Sequence, residues 1–384
     1  MTTVGDVPAP AARVLADLAG LVEALRADDR IVVGPTVRDG AIVLAELASA
    51  AELPYGWGVE LDAGHYRLRP VDQRLAFANS AGPQSWKAQL HPPRQLLMSA
   101  RRTPDDGFVV DDTPPAPSRL AFLGVRPCDL RAIGILDQVL GSGRRYAERR
   151  ADVLIIAVNC TEPGAACFCV SAGGGPAAEA GHDLVLTERA DGRLLAEAGT
   201  TAGGGLLARL PGQEATAGDL AEGRDTVGAA ANRMGRTLPP GDLRALLVDQ
   251  VDSAHWNEVA NRCLTCGNCT MVCPTCFCTT VSDTTDVTGE HAQRWEHWDS
   301  CFDRDFSFLH GGPVRPGGAS RYRQWLSHKL GTWHDQFGQS GCVGCGRCVV
   351  WCPVGIDLTA ELAALTATSR SGSTDPEVSD AGND

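Results

Sequence analysis

Six of the fifteen cysteines lie within sixteen residues, 263–278, and this density constrains the chain more than any other feature of its sequence. The first four have the C-x2-C-x2-C-x3-C-P spacing that is typical of [4Fe–4S] binding: Cys263, Cys266, Cys269 and Cys273. A second run repeats the spacing: Cys342, Cys345, Cys348 and Cys352. Structural disulfides or a zinc ribbon are the alternative, but zinc sites favour two separated cysteine pairs. The two runs therefore predict two [4Fe–4S] clusters.

The cysteine before proline in each run has a different role from the first three. Three closely spaced thiolates hold one cluster, while the fourth cysteine reaches the neighbouring cluster. This pattern assigns one cluster to Cys263, Cys266, Cys269 and Cys352. It assigns the other cluster to Cys342, Cys345, Cys348 and Cys273. Glycines within the runs let the backbone approach the clusters closely.

Three cysteines near the first run remain without an assignment: Cys276, Cys278 and Cys301. They could supply ligands to a further cluster, replace one of the assigned ligands, or pack beside a cluster. The sequence leaves these three possibilities open. The aromatic residues around Cys301 are expected to form a core around the clusters.

The first part of the chain predicts alternating helices and strands. Apolar residues spaced three and four apart predict a helix over residues 10–27, and an Ile-Val-Val run predicts a strand over residues 30–34. A second helix is expected over residues 39–47, capped by its first residue, an aspartate. Further along, Trp86 is interpreted as a packed aromatic residue and Lys87 as its solvated neighbour.

A second group of cysteines follows two predicted strands. The apolar stretches 120–125 and 153–158, joined by a helix over residues 130–140, predict a βαβ unit with parallel strands. The cysteines after these strands are Cys128, Cys160, Cys167 and Cys169. Ligands often bind where the carboxyl ends of parallel strands meet, and a cluster needs four thiols. A third cluster is therefore predicted here, with burial of the cysteines as small hydrophobic residues as the alternative.

Composition divides the chain into three parts. Residues 199–240 are rich in Gly, Ala and Thr and are predicted to form a flexible connection at the end of the first domain. We predict an α/β domain over residues 1–242 and a mainly helical dicluster domain, similar to helical ferredoxins, over residues 243–366. Residues 367–384 have almost no apolar side chains and are predicted to be a disordered acidic tail.

Charge and composition argue against several functions. The net charge of −13 disfavours nucleic acid as a partner, because binding to phosphates needs clustered Lys and Arg. No signal peptide and no apolar stretch of membrane-spanning length are found, so a cytoplasmic protein with reduced thiols is expected. No grouping of catalytic side chains stands out. The chain is interpreted as a non-catalytic component that conducts electrons.

Several short motifs occur together along most of the chain. They are Ser85-Trp86-Lys87, Gly124-Val125-Arg126-Pro127-Cys128-Asp129-Leu130, Cys167-Phe168-Cys169, Cys273-Pro274-Thr275-Cys276-Phe277-Cys278 and Cys342-Val343-Gly344-Cys345-Gly346-Arg347-Cys348. In these motifs the chain resembles the iron–sulfur β subunit of cytoplasmic sulfhydrogenase-type [NiFe] hydrogenases and the related A subunit of anaerobic sulfite reductase.

The resemblance implies an electron-transfer subunit. Its expected partners are a flavin subunit with a [2Fe–2S] centre, which exchanges hydride with NAD(P)H, and the small and large subunits of a [NiFe] hydrogenase. The resemblance also admits the same relay to the catalytic subunit of a sulfite reductase. A flavin-bearing β subunit of a deazaflavin-linked oxidoreductase is a further alternative, since such subunits also combine clusters with an α/β region. The sequence does not decide between NAD and NADP.

Overall fold

The structure is a computed structural model that describes residues 12–113 and 118–372. Its strands are β1 (Ala12–Leu15), β2 (Ile31–Arg38), β3 (Ala41–Glu46), β4 (Trp57–Asp62), β5 (His65–Pro70), β6 (Arg94–Arg102), β7 (Phe108–Asp111), β8 (Leu120–Val125), β9 (Leu154–Val158), β10 (Leu184–Glu188), β11 (Leu194–Ala198), β12 (Gln213–Glu214), β13 (Thr279–Thr285), β14 (His291–Trp298), β15 (Phe308–Leu309) and β16 (Gly312–Pro313). Its helices are α1 (Ala19–Ala27), α2 (Lys87–Leu90), α3 (Pro127–Leu140), α4 (Arg144–Ala151), α5 (Thr201–Arg209), α6 (Ala217–Ala231), α7 (Leu243–Asp249), α8 (His255–Arg262), α9 (Asn268–Met271), α10 (Gly318–Ser327), α11 (Trp333–Phe337), α12 (Arg347–Val350) and α13 (Leu358–Gly372). A π-helical turn, His328–Thr332, joins α10 to α11.

The amino-terminal part is built on an eight-stranded sheet in the order β12-β1-β11-β10-β9-β8-β2-β3. The four central strands β10, β9, β8 and β2 are parallel to one another, and the outer pairs are antiparallel. Strands β8 and β9 are linked through α3 and α4, so the predicted βαβ unit is confirmed. Their side chains are almost all buried because helices cover both faces, as parallel strands require. The α/β prediction is confirmed.

Two predictions for the first fifty residues are wrong. The helix predicted over residues 10–27 begins only at Ala19, because Ala12–Leu15 pairs as a strand with both β11 and β12. The helix predicted over residues 39–47 is instead β3, the second strand of a hairpin with β2. Asp39 and Gly40 form the turn with φ of 49° and 75°, and an Asp-Gly pair with positive φ is a strong hairpin signal. Tertiary pairing and turn chemistry override helix propensity here.

The predicted flexible connection over residues 199–240 is also wrong, because it contains α5 and α6. Thr200 and Thr216 cap these helices by accepting hydrogen bonds from backbone N–H groups in the first turn. Glycine allows close packing here: a Cβ on Gly203 would lie 1.7 Å from the carbonyl oxygen of Asp183, the residue directly before β10. The small residues that suggested flexibility therefore allow helices to lie tightly against strands.

The carboxyl-terminal part is mainly helical, as predicted, but it contains a long hairpin. Strands β13 and β14 join β6 and β7 in an antiparallel sheet of the order β13-β14-β6-β7. Strands from both sides of residue 242 thus belong to one sheet. Residues 367–372, which were predicted to be disordered, are helical because α13 extends to Gly372. Leu362 and Leu365 anchor α13 in the core, and extending an existing helix costs little. The rest of the predicted tail, residues 373–384, lies outside the described residues.

Candidate iron–sulfur centres

Each cysteine run is a loop that ends in a single turn of helix. In the first run Gly267 takes φ 72° and begins α9, and in the second run Gly346 takes φ 74° and begins α12. Glycine adopts this left-handed conformation without strain, so the chain can reverse and aim its N–H groups at the space between the thiols. Two N–H groups already point at sulfur: Thr265 N donates to Cys263 Sγ at 3.4 Å and Ile356 N to Cys352 Sγ at 3.3 Å.

The thiols of the first predicted set surround one pocket. Its empty volume is about 460 Å³, and the cysteines that line it are Cys263, Cys266, Cys269, Cys348 and Cys352. Apolar and aromatic side chains complete the wall, among them Phe302, Tyr322 and Trp325. Cys266 is exposed, and so is its neighbour Leu264, whereas the opposite wall is buried core. The pocket therefore reaches the protein surface on the side of Cys266.

The thiols of the second predicted set surround a second pocket. Its empty volume is about 420 Å³, and the cysteines that line it are Cys273, Cys342, Cys345 and Cys348. Trp325, Cys348 and Leu358 line both pockets, so the two spaces share a wall. No residue from Gly341 to Cys352 is exposed. Burial raises the pKa of the Cys342 thiol to about 12.

Two buried lysines lie beside the segment Cys273–Cys278. Lys87 Nζ donates to the carbonyl oxygen of Cys276 at 3.0 Å and stands 3.8 Å from the centre of the Trp298 ring. Lys329 Nζ donates to the Thr275 hydroxyl at 2.6 Å. Burial alone would lower the pKa of Lys329, but the nearby Cys273 and Cys276 thiols raise it overall. Within the described residues neither lysine has a carboxylate at ion-pair distance.

Buried ammonium groups without carboxylates indicate that another anion occupies this region. Removing an isolated charge from water costs several kcal/mol, so buried cations are normally paired. Thiolates bound to a cluster would supply that negative charge. The sequence-based interpretation of Lys87 as a solvated residue is therefore wrong, since the side chain is 2% exposed. A lysine directly after a buried tryptophan gave no local signal of this burial.

A buried ion pair attaches the second run to the α/β part. Arg347 Nη1 and Nη2 donate to the two carboxylate oxygens of Asp129 at 2.9 and 3.1 Å, and both residues are buried. Asp129 lies in the first turn of α3, where negative charge is favourable. Both residues belong to motifs noted in the sequence, but nothing in the sequence indicated that these motifs meet.

The structure gathers the second group of cysteines beside the second pocket. Cys160, Cys167 and Cys169 are each 8% exposed, and Phe168 N donates to the Gly344 carbonyl oxygen at 2.9 Å. Burial, followed by the adjacent Cys167 and Cys160 thiols, raises the pKa of Cys169 to about 12. Burial raises the pKa of Cys128 as well, with smaller contributions from nearby groups that include the Cys345 thiol. Arg126 Nη1 lies 3.5 Å from Cys160 Sγ.

The three unassigned cysteines separate into two neighbourhoods. A hydrogen bond from the Cys276 thiol lowers the pKa of Cys273, which lines the second pocket. Cys276 therefore lies next to the second pocket. Cys278 and Cys301 approach each other because Asp299 N donates to the Cys278 carbonyl oxygen at 2.8 Å, at the base of the β13–β14 hairpin. Burial raises the pKa of Cys301 to about 12, and the Cys278 thiol adds to this.

The arrangement of these thiols fits a polyatomic cluster. In residues 12–113 and 118–372, no three His, Cys, Asp or Glu side chains converge on a position for a single metal ion. The fifteen cysteines are all within the described residues and form no disulfide. Thiols around two adjoining pockets, N–H groups directed at sulfur and uncompensated buried cations together suit [4Fe–4S] centres, whose negative charge and sulfur atoms would meet them.

Comparisons with known proteins agree with this chemistry. Two family models described as "4Fe-4S dicluster domain" match the chain, over residues 262–356 and 230–277. Sulfhydrogenase 2 subunit beta of Pyrococcus furiosus is 34% identical over 245 residues, which cover 62% of this chain and 72% of that relative. The chain belongs to the sulfhydrogenase beta-subunit family. The resemblance noted from the motifs is thereby confirmed, together with [4Fe–4S] binding as a family property.

Two negative findings accompany the family match. No solved structure matches this chain. Among the described residues, no helix has the length and apolar content needed to cross a bilayer. The cytoplasmic location stays a prediction. The assignment of individual cysteines as cluster ligands in this sulfhydrogenase beta-subunit homologue also stays a prediction.

Proposed function

We propose that this chain relays electrons through its clusters, from a flavin- and [2Fe–2S]-bearing subunit that reacts with NAD(P)H to the small and large subunits of a [NiFe] hydrogenase, or in reverse. The observation that carries the proposal is the wall shared by the two pockets, which contains Cys348 and Trp325. Two clusters so placed would be neighbours in one path. The name of the relative, a sulfhydrogenase subunit, favours a hydrogenase over a sulfite reductase as the partner.

We assign the clusters as the motif predicts. Cys263, Cys266, Cys269 and Cys352 would hold the first cluster, and Cys342, Cys345, Cys348 and Cys273 the second. The lining of the two pockets supports this exchange of the fourth ligand. When bound, the clusters supply one-electron chemistry at low potential. The chain's own residues exclude water from the second pocket, and Lys87 and Lys329 offset its negative charge.

The first cluster would exchange electrons with a partner subunit at the surface around Cys266. This cysteine is exposed, and Leu264 and Val354, which line the same pocket, are 61% and 40% exposed. Leu264 and Val354 expose apolar surface together at one pocket, and contiguous apolar surface next to a redox centre suits contact with another protein.

The relay is tested in the assembled complex. Cys266→Ala should abolish NAD(P)-linked hydrogen oxidation, while hydrogen oxidation with an artificial dye that takes electrons directly from the hydrogenase subunits should persist. Val287→Thr, at an exposed hairpin tip, is the control and should retain both activities. Retention of NAD(P)-linked activity in Cys266→Ala would refute the relay. Flavin released from the purified chain on denaturation would instead favour the deazaflavin-linked alternative.

We further propose a third cluster held by Cys128, Cys160, Cys167 and Cys169. Cys160, Cys167 and Cys169 are buried and Cys128 is half-buried. The proximity of Cys128 and Cys169 to Cys345, and of the Arg126 guanidinium to Cys160 Sγ, supports the proposal. The chain reconstituted without oxygen should then contain about twelve irons, and Cys160→Ser should contain about eight. Equal iron in both proteins would leave these cysteines as buried hydrophobic residues. Cys276, Cys278 and Cys301 are proposed as neighbours of the clusters that substitute for none of the assigned ligands.

A further inference from the structure

Two buried hydrogen-bond donors in the wall of the first pocket have no acceptor within residues 12–113 and 118–372. They are the Tyr322 hydroxyl and the Trp325 indole Nε1–H, on side chains that are 3% and 5% exposed. Native proteins leave few buried donors unsatisfied, because such a donor has lost its hydrogen bonds to water without a replacement. Both side chains lie on α10 and their rings are 5.5 Å apart. Their common placement points to an acceptor within the pocket.

The composition of the pocket identifies the class of acceptor. Besides thiols, the wall near these donors consists of apolar groups such as Phe302, Ile356 and Leu358. A buried water needs two to four polar partners, and besides the two donors themselves the side chains of this wall offer only thiols. Sulfur is already the acceptor elsewhere in the same pocket, where the N–H groups of Thr265 and Ile356 donate to cysteine sulfur atoms.

We propose that the Tyr322 hydroxyl and the Trp325 indole N–H donate hydrogen bonds to sulfur atoms of the iron–sulfur clusters and thereby raise the clusters' reduction potentials. This inference rests on the proposed function only in that it requires clusters in the two pockets. Hydrogen bonds to cluster sulfur favour the reduced state, because reduction adds negative charge to the acceptor. Tyr322 and Trp325 are therefore positioning residues that tune the clusters.

The two donors should differ in which cluster they affect. Tyr322 lines the first pocket but not the second, whereas Trp325 lines both pockets and belongs to their shared wall. Removal of the Tyr322 hydroxyl should act on the first cluster. Removal of the Trp325 N–H should act on at least one of the two clusters, and on electron transfer between them.

Trp256 supplies a matched control in the same core. It is 3% exposed, its ring lies 6.4 Å from that of Tyr322, and its Nε1 donates to the Gln250 carbonyl oxygen at 2.7 Å. Trp256→Phe removes an indole of the same burial whose N–H is already satisfied. Any effect of lost packing volume should appear in this variant as well as in Trp325→Phe.

The experiment compares Tyr322→Phe, Trp325→Phe and Trp256→Phe in the full chain. Iron is counted in each variant, and reduction potentials are measured by a redox titration that is monitored by electron paramagnetic resonance. The signal of the first cluster is identified by its absence in Cys266→Ala. We expect Tyr322→Phe to lower the potential of that cluster, Trp325→Phe to lower at least one potential, and Trp256→Phe to change neither. The second readout is an exchangeable proton that is magnetically coupled to the reduced cluster. We expect Tyr322→Phe to lose this proton.

The outcomes separate this inference from the proposed function. Unchanged potentials in both Tyr322→Phe and Trp325→Phe, at full iron content, overturn the hydrogen bonds and leave the relay intact. An equal shift in Trp256→Phe also overturns them, since packing alone would then account for the change. A wild-type chain that binds no iron under reconstitution overturns the proposed function and this inference together.

Discussion

The two cysteine runs share one spacing but lie in different surroundings. The first run has Cys266 and Leu264 at the surface, whereas every residue of the second run up to Cys352 is at least partly buried. The second run packs against the α/β part, with the Cys167–Cys169 loop bonded to Gly344 and Asp129 paired with Arg347. The same motif thus lies at the surface in one place and inside the protein in the other.

Equivalent positions in the two runs show how the surroundings select residues. The position before the second cysteine has positive φ in both runs, and it is Thr265 in the first and Gly344 in the second. A Cβ on Gly344 would lie 2.5 Å from Cys169 Cα, so only glycine fits there. Thr265 meets no such barrier. The spacing of the cysteines follows the [4Fe–4S] motif, whereas the residues between them depend on the segments that pack against each run.

Loss of the second cysteine of either run should have the largest effect, and the effect on stability should differ between the two runs. Cys345→Ala and Cys266→Ala should each lose about four irons, since each removes one proposed ligand of a [4Fe–4S] centre. Cys345→Ala should also lower the melting temperature more, because its pocket is enclosed by both parts of the chain. Iron analysis and thermal unfolding are the measurements. Full iron content in either variant would contradict the assignment of that cysteine as a ligand.

The residue before the third cysteine of each run should have the next largest effect. Arg347 and Asn268 both precede the third cysteine of their runs, but Arg347 pairs with buried Asp129 whereas Asn268 donates to the Trp351 carbonyl oxygen. Arg347→Met should lower the free energy of unfolding by about 4 kcal/mol, because it leaves a buried carboxylate unpaired. Asn268→Ala should lower it by about 1 kcal/mol.

Denaturant unfolding of both variants measures this difference. If Arg347→Met lowers the free energy of unfolding as little as Asn268→Ala does, the ion pair contributes little to the attachment of the second run. The double variant Arg347→Met, Asp129→Leu should recover stability if the unpaired carboxylate is the cause.

The smallest expected effect concerns the glycines that begin α9 and α12. Both have positive φ, so alanine costs about 1 kcal/mol at either position. A Cβ on Gly346 would also lie 2.4 Å from the Ala166 carbonyl oxygen, whereas a Cβ on Gly267 would lie 3.0 Å from the rotatable Ser300 Oγ. Gly346→Ala should therefore destabilise the protein by about 2 kcal/mol more than Gly267→Ala. Equal melting temperatures for the two variants would argue against this tighter contact.

Local signals in the sequence predicted a substantial part of the fold. The βαβ unit was predictable because continuous apolar stretches such as Leu120–Val125 report burial on both faces. Strand β1 was not, because Ala12–Leu15 has helix-forming residues and becomes a strand only by pairing with distant β11. Helices α5 and α6 were missed because glycine was interpreted as flexibility, although at Gly203 it permits contact with the sheet.

The iron–sulfur chemistry of this protein can be predicted from its sequence, because the number and spacing of thiolates that hold a [4Fe–4S] cluster are fixed by the size of the cluster and appear within one short stretch. The groups that surround those thiols depend on the tertiary structure. Lys87, Tyr322 and the pair of Asp129 and Arg347 come from segments far apart in the chain. Burial and charge pairing are properties of the packed molecule, so no local pattern could have shown that these residues lie beside the cysteine runs.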